Sequence, residues 1–249
     1  MNVRDKFKRP IKDLRISVID KCNFRCPYCM PKEIFGERYQ FLKNNELLSF
    51  EEIYEITKIF AKIGVEKLRI TGGEPLLRKD LNLLIKDLKS IDNIKEIALT
   101  TNGFLLKKHA QSLRESGLDR LTVSLDSLNS DSYKKLNGQN LDLNKTLESI
   151  EFANHMGFEN IKINTVVMKG INEDQIINLA EFGRKNNLII RYIEYMDVGN
   201  INGWKPEDVV SAKEIIKTIE KKYKLTPLES NYYGEVASRY GFEDGVGEI

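Results

Sequence analysis

Apolar and polar positions alternate along this chain in two periods that follow one another repeatedly. The apolar run over residues 14–19 reads as a first strand, and the mixed, polar stretch 31–48 with Gly36 as a long excursion after it. Ser49-Phe50-Glu51-Glu52 then forms a capping box, and Phe50, Ile53, Ile56, Ile59, Phe60 and Ile63 recur at helical spacing until Gly64 stops the run. A strand over 67–71 is broken by Gly72-Gly73-Glu74-Pro75. The alternation continues with a helix near 80–90, a strand over 94–100, Asn102-Gly103 and a helix near 105–116. A strand over 119–125 precedes helical stretches near 130–137 and 144–156. Strands near 160–168 and 188–195 bracket a helix over 173–186, and residues 211–223 read as a last helix.

Six strands, most of them followed by a helix, argue for right-handed βαβ units and a parallel sheet. The expected fold class is α/β, a partial (open) six-unit β/α barrel. Chemistry in such folds sits on loops at the C-terminal ends of the strands. That rule gathers residues 20–31, Gly72-Gly73-Glu74-Pro75, Thr100-Thr101-Asn102-Gly103, Ser124-Leu125-Asp126 and Glu194-Tyr195-Met196-Asp197 at one mouth. Residues 1–210 form the expected core. Residues 211–249 read as the start of a C-terminal region, because the Gly- and aromatic-rich stretch from Tyr232 onward stops at Ile249 without a helix cap or polar tail.

Composition narrows the function classes. The chain has 249 residues, 41% hydrophobic and 31% charged, as an ordinary globular protein does. Lys+Arg 39 against Asp+Glu 37 leaves a net charge of +2, which gives no global field for nucleic acid or an anionic membrane. No signal-peptide h-region and no run of ~18 apolar residues is present, so a cytoplasmic location is expected.

In that reducing setting the cysteines stand out. All three lie in Cys22-x3-Cys26-x2-Cys29, directly after the first strand. Clustered thiols in a reducing compartment point to metal or catalysis rather than to disulfides. A structural zinc site would ask for a fourth ligand, and the two histidines, His109 and His155, fall in expected helices far along the chain. Ordinary buried thiols would not crowd onto one loop. The reading kept is a cluster with three thiolate ligands and one open iron.

With Tyr28 before the last cysteine and Gly72-Gly73-Glu74-Pro75 downstream, the sequence resembles the radical S-adenosylmethionine enzymes. The resemblance implies a [4Fe-4S] cluster on Cys22, Cys26 and Cys29 whose open iron binds the amino and carboxylate groups of S-adenosylmethionine. It also implies electron transfer that releases a 5'-deoxyadenosyl radical. Glycine at 72 and 73 lets backbone approach a ligand, and Glu74 with neighbouring carbonyls offers acceptors to the ligand's ammonium.

A closer resemblance covers nearly the whole chain. Arg9-Pro10-Ile11-Lys12-Asp13-Leu14-Arg15-Ile16-Ser17, Cys29-Met30-Pro31-Lys32, Leu68 through Arg78, Thr100 through Gly103, Ser124-Leu125-Asp126, Lys162-Ile163-Asn164, Lys169-Gly170, Met196-Asp197-Val198-Gly199 and Asn202-Gly203-Trp204 are similar to the GTP 3',8-cyclase family. Membership would imply the first step of molybdenum cofactor synthesis. In that step the ribose C3' hydrogen of GTP is abstracted and C3' bonds to guanine C8, giving 3',8-cyclo-7,8-dihydro-GTP. By position, S-adenosylmethionine contacts fall on Tyr28, Gly73, Ser124 and Met196. GTP contacts fall on Arg15, Arg69, Thr100 and Lys162, with Lys67 and Arg191 as further candidates. Arg15 and Arg69 are expected to end or flank strands, where an inward guanidinium is costly unless it meets an anion.

The resemblance also implies a reductant such as flavodoxin or ferredoxin and a downstream cyclic pyranopterin monophosphate synthase, with a homodimer left open. Missing from this sequence are the family's second three-cysteine cluster, its arginines and its Gly-Gly tail, so a truncated form is expected. The alternatives are a protein that cleaves S-adenosylmethionine without cyclising GTP, a radical enzyme acting on a peptide or another nucleoside, and a non-enzymatic metal-binding protein with zinc on the cysteines. No Gly-x4-Gly-Lys-Ser/Thr loop or strand-linked Gly-x-Gly-x2-Gly is present, which argues against a GTPase switch.

Overall fold

The computed structural model describes residues 3–198, 203–231, 235 and 237–249. Local chemistry sets the helix ends. Ahead of α1 (Phe50–Lys62), the Ser49 hydroxyl accepts from the Glu52 amide and the Glu52 carboxylate from the Ser49 amide. The reciprocal pair satisfies two of the donors that a helix start leaves open. Ser211 and Glu214 repeat the device at α7 (Ala212–Glu220). Ahead of α4 (Ser130–Asn137), Asn129 caps the amides of Asp131 and Ser132, and Gly138 closes the helix in the left-handed region.

Between these helices run β1 (Asp13–Ser17), β2 (Lys67–Thr71), β3 (Glu96–Thr101), β4 (Arg120–Ser124), β5 (Lys162–Val167) and β6 (Ile189–Glu194). They form one sheet in the order β1-β2-β3-β4-β5-β6, open at its two edge strands, so the α/β partial barrel stands. The remaining helices are α2 (Leu81–Lys89), α3 (Leu106–Glu115), α5 (Leu143–His155) and α6 (Ile176–Asn186). No described helix is long and apolar enough to cross a membrane.

The chain divides into two compact units. The first comprises residues 1–23, 40–122 and 144–159, and the second residues 24–39, 123–143 and 160–249. In the first, β1, β2 and β3 pair in parallel, with Arg15 in register with Arg69, and Arg69 with Ala98. Leu68, Ile70, Ile97 and Leu99 are fully buried, whereas Lys67, Arg69, Glu96 and Thr100 on the other face are only half-buried. Parallel strands covered on both faces read as continuous apolar runs. This alternation therefore means that one face of the sheet is left polar.

In the second unit β5 pairs in parallel with β6. The tail shares their core: Phe242, Ile215 and Ile219 cluster with Val167, Ile176 and Ala180. Arg184 of α6 lies over the rings of Tyr223 and Phe242, 4.6 and 4.3 Å from their centroids, and donates to the Val246 carbonyl at 2.9 Å and to Asp244.

The differences from expectation have local causes. β1 ends at Ser17, two residues early, and the last helix at Glu220 rather than 223. The helix expected from 173 opens with a 3-10 turn at Glu173–Gln175. The pair β7 (Leu225–Leu228) and β8 (Arg239–Phe242) was not expected. Pro227 and Gly241 both weigh against strand, and a two-stranded antiparallel edge tolerates them. Gly199, Asn202, Tyr232, Tyr233 and Gly234 lie outside the described residues.

Candidate functional site

The site starts where β1 stops. The Val18 amide donates to the Thr71 carbonyl at 2.9 Å, the Gly73 amide to the Ile19 carbonyl at 2.6 Å and the Glu74 amide to the Lys21 carbonyl at 2.8 Å. The segment after β2 thus runs against the chain leading into Cys22. Glycine is required there, because a Cβ on Gly72 would lie 2.4 Å from the Ile19 carbonyl oxygen and one on Gly73 would lie 2.3 Å from that of Lys21. The close approach is to the cysteine loop's own backbone.

Glu74 departs from the sequence reading. Its carboxylate is 1% exposed and accepts from the Thr101 hydroxyl at 2.7 Å, the Leu76 amide at 3.0 Å and the Asn102 amide at 2.8 Å. Burial pushes its carboxyl above the ordinary range, and these three donors pull it back. It clamps its loop to the end of β3, so an acceptor for a ligand's ammonium is left to the backbone carbonyls. Asn102 is a residue that motif reading passed over. Its amide nitrogen donates to Asn23 Oδ1 at 2.8 Å and faces Cys22 Sγ at 3.9 Å.

The other two thiols belong to the second unit. The Cys29 and Met30 amides donate to the Cys26 carbonyl at 3.0 and 2.8 Å, so Cys26 and Cys29 share one turn. Cys26 is half-buried and Cys29 exposed. Although the residue is exposed, desolvation by the atoms around its sulfur raises the Cys29 thiol above its usual value.

This turn is tied down from three sides. The Arg25 amide donates to the Asn137 carbonyl at 2.8 Å, Arg25 Nε to the Phe35 carbonyl at 2.5 Å, and Phe24 meets the Tyr133 ring edge-on at 6.2 Å. Gly138, at φ +64°, has room for no side chain, because a Cβ would lie 2.1 Å from the Arg25 carbonyl oxygen. Gly138→Ala is expected to lose about 2–4 kcal/mol, read as a lowered urea midpoint, from backbone strain and displacement of the cysteine turn.

Tyr28 makes the fourth tie. It packs with Val166 and Trp204 on the Leu136, Met168 and Tyr195 cluster, and its hydroxyl donates to Asp126 Oδ2 at 2.6 Å. Asp126 Oδ1 accepts the Val166 amide at 2.8 Å, and the Asp126 carbonyl accepts from Asn172 at 2.7 Å. Burial pushes the Asp126 carboxyl up from 3.8 to about 6, against the pull of those two donors. A carboxyl raised in the folded state gives stability that is complete below its unfolded value and lost as pH rises through the folded one. The metal-free protein is therefore expected to lose roughly 3 kcal/mol between pH 3.8 and about 6 through this group. Asp126→Asn should remove that slope, as urea melts across the window would register.

The remaining candidates line the polar strand faces. Arg15 and Arg69 sit in the middle of β1 and β2, not at strand ends as expected. Arg15 is exposed. Arg69, 38% exposed, donates to Asp13 Oδ1 at 3.0 Å. Like charges directly opposite on adjacent strands repel, and Asp13 offsets part of that here. Lys67 is in register with Asp13 and Glu96, and Glu96 accepts Arg120 on both oxygens at 3.1 Å. Thr100 is half-buried near the end of β3. In the second unit, Lys162 and Asn164 share a half-buried face of β5, with Asn164 in register with Arg191. Asn164 Oδ1 is buried and unpartnered. Ser124 ends β4, half-buried, and Met196, 53% exposed, follows β6.

The cysteines carry no disulfide. Among the described residues no three His, Cys, Asp or Glu side chains gather as ligands of a single metal ion. Three thiolates without a fourth cysteine or a histidine nearby do not suit closed tetrahedral zinc, and they do suit an iron–sulfur cluster, where each thiolate meets its own iron.

Comparison with known proteins is consistent with this donor set. Residues 16–183 match the Radical SAM superfamily and residues 188–249 match Molybdenum Cofactor Synthesis C. A GTP 3',8-cyclase of Staphylococcus epidermidis strain RP62A is 50% identical over 242 residues, which are 97% of this chain and 71% of that protein. One from Staphylococcus aureus strain JH9 gives the same figures. Among solved structures, Streptococcus suis SuiB bound to S-adenosylmethionine superposes with a TM-score of 0.63 at 23% identity, covering 78% of this chain. Methylornithine synthase (PylB) gives 0.64 at 17% over 84%. This chain spans 43% and 61% of their respective lengths, and the likeness is one of fold.

Proposed function

The chain belongs to the radical SAM superfamily and, within it, to the GTP 3',8-cyclase family, and we propose that it converts GTP to 3',8-cyclo-7,8-dihydro-GTP, the first step of molybdenum cofactor biosynthesis. The observation that carries this reading is 50% identity over 97% of the chain to a GTP 3',8-cyclase. The superfamily carries a [4Fe-4S] cluster and binds S-adenosylmethionine, which together supply an electron and a 5'-deoxyadenosyl radical.

The protein's own part is to hold and orient. Cys22, Cys26 and Cys29 would hold three irons of such a cluster, which would leave the fourth for S-adenosylmethionine. We assign its remaining contacts to Tyr28, Gly73, Ser124 and Met196. To GTP we assign Arg15, Arg69, Thr100 and Lys162, with Lys67 and Arg191 beside them. Guanidinium groups pair with phosphate oxygens in a fixed, two-pronged geometry. The in-register Arg15 and Arg69 suit a triphosphate better than they suit each other.

The three cysteines suffice for one cluster. We further propose residues 1–210 as the core and 211–249 as part of a C-terminal segment; the second family match begins earlier, at residue 188. A flavodoxin or ferredoxin as reductant, hand-over to a cyclic pyranopterin monophosphate synthase and a cytoplasmic setting complete the proposal.

The test is anaerobic. The protein is reconstituted with iron and sulfide, reduced, and given S-adenosylmethionine with and without GTP, and both nucleoside products are quantified by mass spectrometry. GTP-dependent 5'-deoxyadenosine with the cyclised nucleotide supports the proposal. The chain spans 71% of its relative, which favours a second reading in which these residues cleave S-adenosylmethionine without cyclising GTP. Deoxyadenosine without the cyclised product would establish that reading. No cleavage by fully loaded protein would overturn both.

A further inference from the structure

Asp126 is the most deeply buried carboxylate that the proposed chemistry leaves without a role among the second unit's described residues, and what it joins is informative. One carboxylate oxygen takes the hydroxyl of Tyr28, which lies between Cys26 and Cys29. The other takes the amide of Val166, four residues beyond Lys162 on β5. Its own carbonyl takes Asn172, whose amide group also donates to the Val166 carbonyl at 2.9 Å and whose oxygen accepts the Met168 amide at 2.8 Å. Both carboxylate oxygens and the carbonyl are thus committed, at 7% exposure.

Burying a carboxylate in an apolar setting is expensive, and valine or asparagine at such a place would avoid most of the cost. The arrangement makes sense as a joint. A charged acceptor gives the strongest and most directional hydrogen bonds available to a tyrosine hydroxyl. Tyr28 alone, packed by its ring, could rotate or slide on the Leu136, Met168 and Tyr195 cluster. Bonded to Asp126, it is fixed at both ends.

We infer that Asp126 is a positioning residue: acting through the Tyr28 hydroxyl, it fixes the Cys26–Cys29 turn against β5 and so sets the environment of the two cluster thiolates. The inference rests on the cysteines holding an iron–sulfur cluster. It adds a joint between the strand that carries Lys162 and the loop that carries the cluster. Cluster potentials respond to hydrogen bonding and exposure at the sulfurs, so a loosened turn alters the cluster without removing a ligand.

The experiment compares wild type, Tyr28→Phe, Asp126→Ala and the double variant in two states. In metal-free protein, hydrogen exchange is followed at the amides of residues 26 and 28–30. Loss of one hydrogen bond to a buried charge is expected to speed exchange there by about ten- to a hundredfold. The double variant should exchange there no faster than Asp126→Ala, because both singles remove the Tyr28–Asp126 bond. Tyr28→Phe should leave Val166 protected, whereas Asp126→Ala, which also removes the acceptor of the Val166 amide, should expose it. In reconstituted protein, iron content should stay at the wild-type level while both singles move the electron paramagnetic resonance signal of the reduced cluster in the same direction.

Wild-type exchange at residues 26 and 28–30 in both singles, additive effects in the double, or an unmoved resonance would each overturn the inference. Failure of the cluster reading would look different, since wild type itself would then bind no cluster. If Asp126→Ala does not fold, Tyr28→Phe alone decides the matter through amide exchange at residues 26 and 28–30.

Discussion

Cys26→Ala protein, taken through anaerobic reconstitution, is expected to emerge colourless, with iron falling from ~4 per chain to well below ~1. On the proposed assignment the cubane has only three protein ligands, and two thiolates cannot hold it. The substitution is small, half-buried and on a turn held by Arg25, Tyr28 and Gly138, so the fold should survive. Its urea midpoint should shift by less than the equivalent of ~1 kcal/mol. Formation of 5'-deoxyadenosine should fall ~1,000-fold or more, because no side chain replaces the electron source. Retained iron in Cys26→Ala would refute the assignment of this cysteine. Loss of iron together with loss of the fold would be told apart by circular dichroism.

Gly73→Ala perturbs the chain leading into Cys22 without touching a thiol. The added Cβ would lie 2.3 Å from the Lys21 carbonyl oxygen and 2.6 Å from that of Asp20. Both neighbours are backbone, so neither can swing away as a side chain would. Either the segment after β2 or the chain leading into Cys22 must move, breaking the Gly73 and Glu74 amide bonds to Ile19 and Lys21. A loss of about 2–4 kcal/mol is expected, with binding of S-adenosylmethionine weakened at least ~10-fold in equilibrium dialysis. Gly157→Ala is the comparison. Its φ is +82° but nothing lies within 4 Å, so it should cost only the ~1 kcal/mol of an unfavourable backbone conformation. Equal effects at the two positions would show that contact with the cysteine loop is not what makes Gly73 necessary.

Periodicity was enough to read the six strands of the parallel sheet and the helices between them, though not the β7–β8 pair, because the faces that pack are strict: Leu68 and Ile70, or Ile97 and Leu99, are buried without exception. The cysteine spacing is likewise a local signal, and the family match it points to is found. What escaped depended on partners distant in the chain. Glu74 looks like an acceptor waiting for a ligand until Thr101 and Asn102, 27 and 28 residues away, are seen to use its oxygens. Asp126 reads as part of a short motif, and nothing near it announces the tyrosine 98 residues earlier. Arg15 and Arg69 were assigned by kind but not by height on their strands. The Asp13 contact to Arg69 joins residues 56 apart.

The alternation within β2 and β3 has a consequence for how this protein can change. Residues that hold the fold and residues proposed to meet a ligand are neighbours in sequence, separated only by the phase of the strand. A single inserted or deleted residue would trade them, swinging Arg69 toward the helices and Leu68 into the polar face. Strand lengths are therefore frozen, while point substitutions on the polar face leave the packed side intact. Diversification in such a barrel proceeds by exchange of side chains along the strands and by growth of the loops after them, never by lengthening the strands themselves.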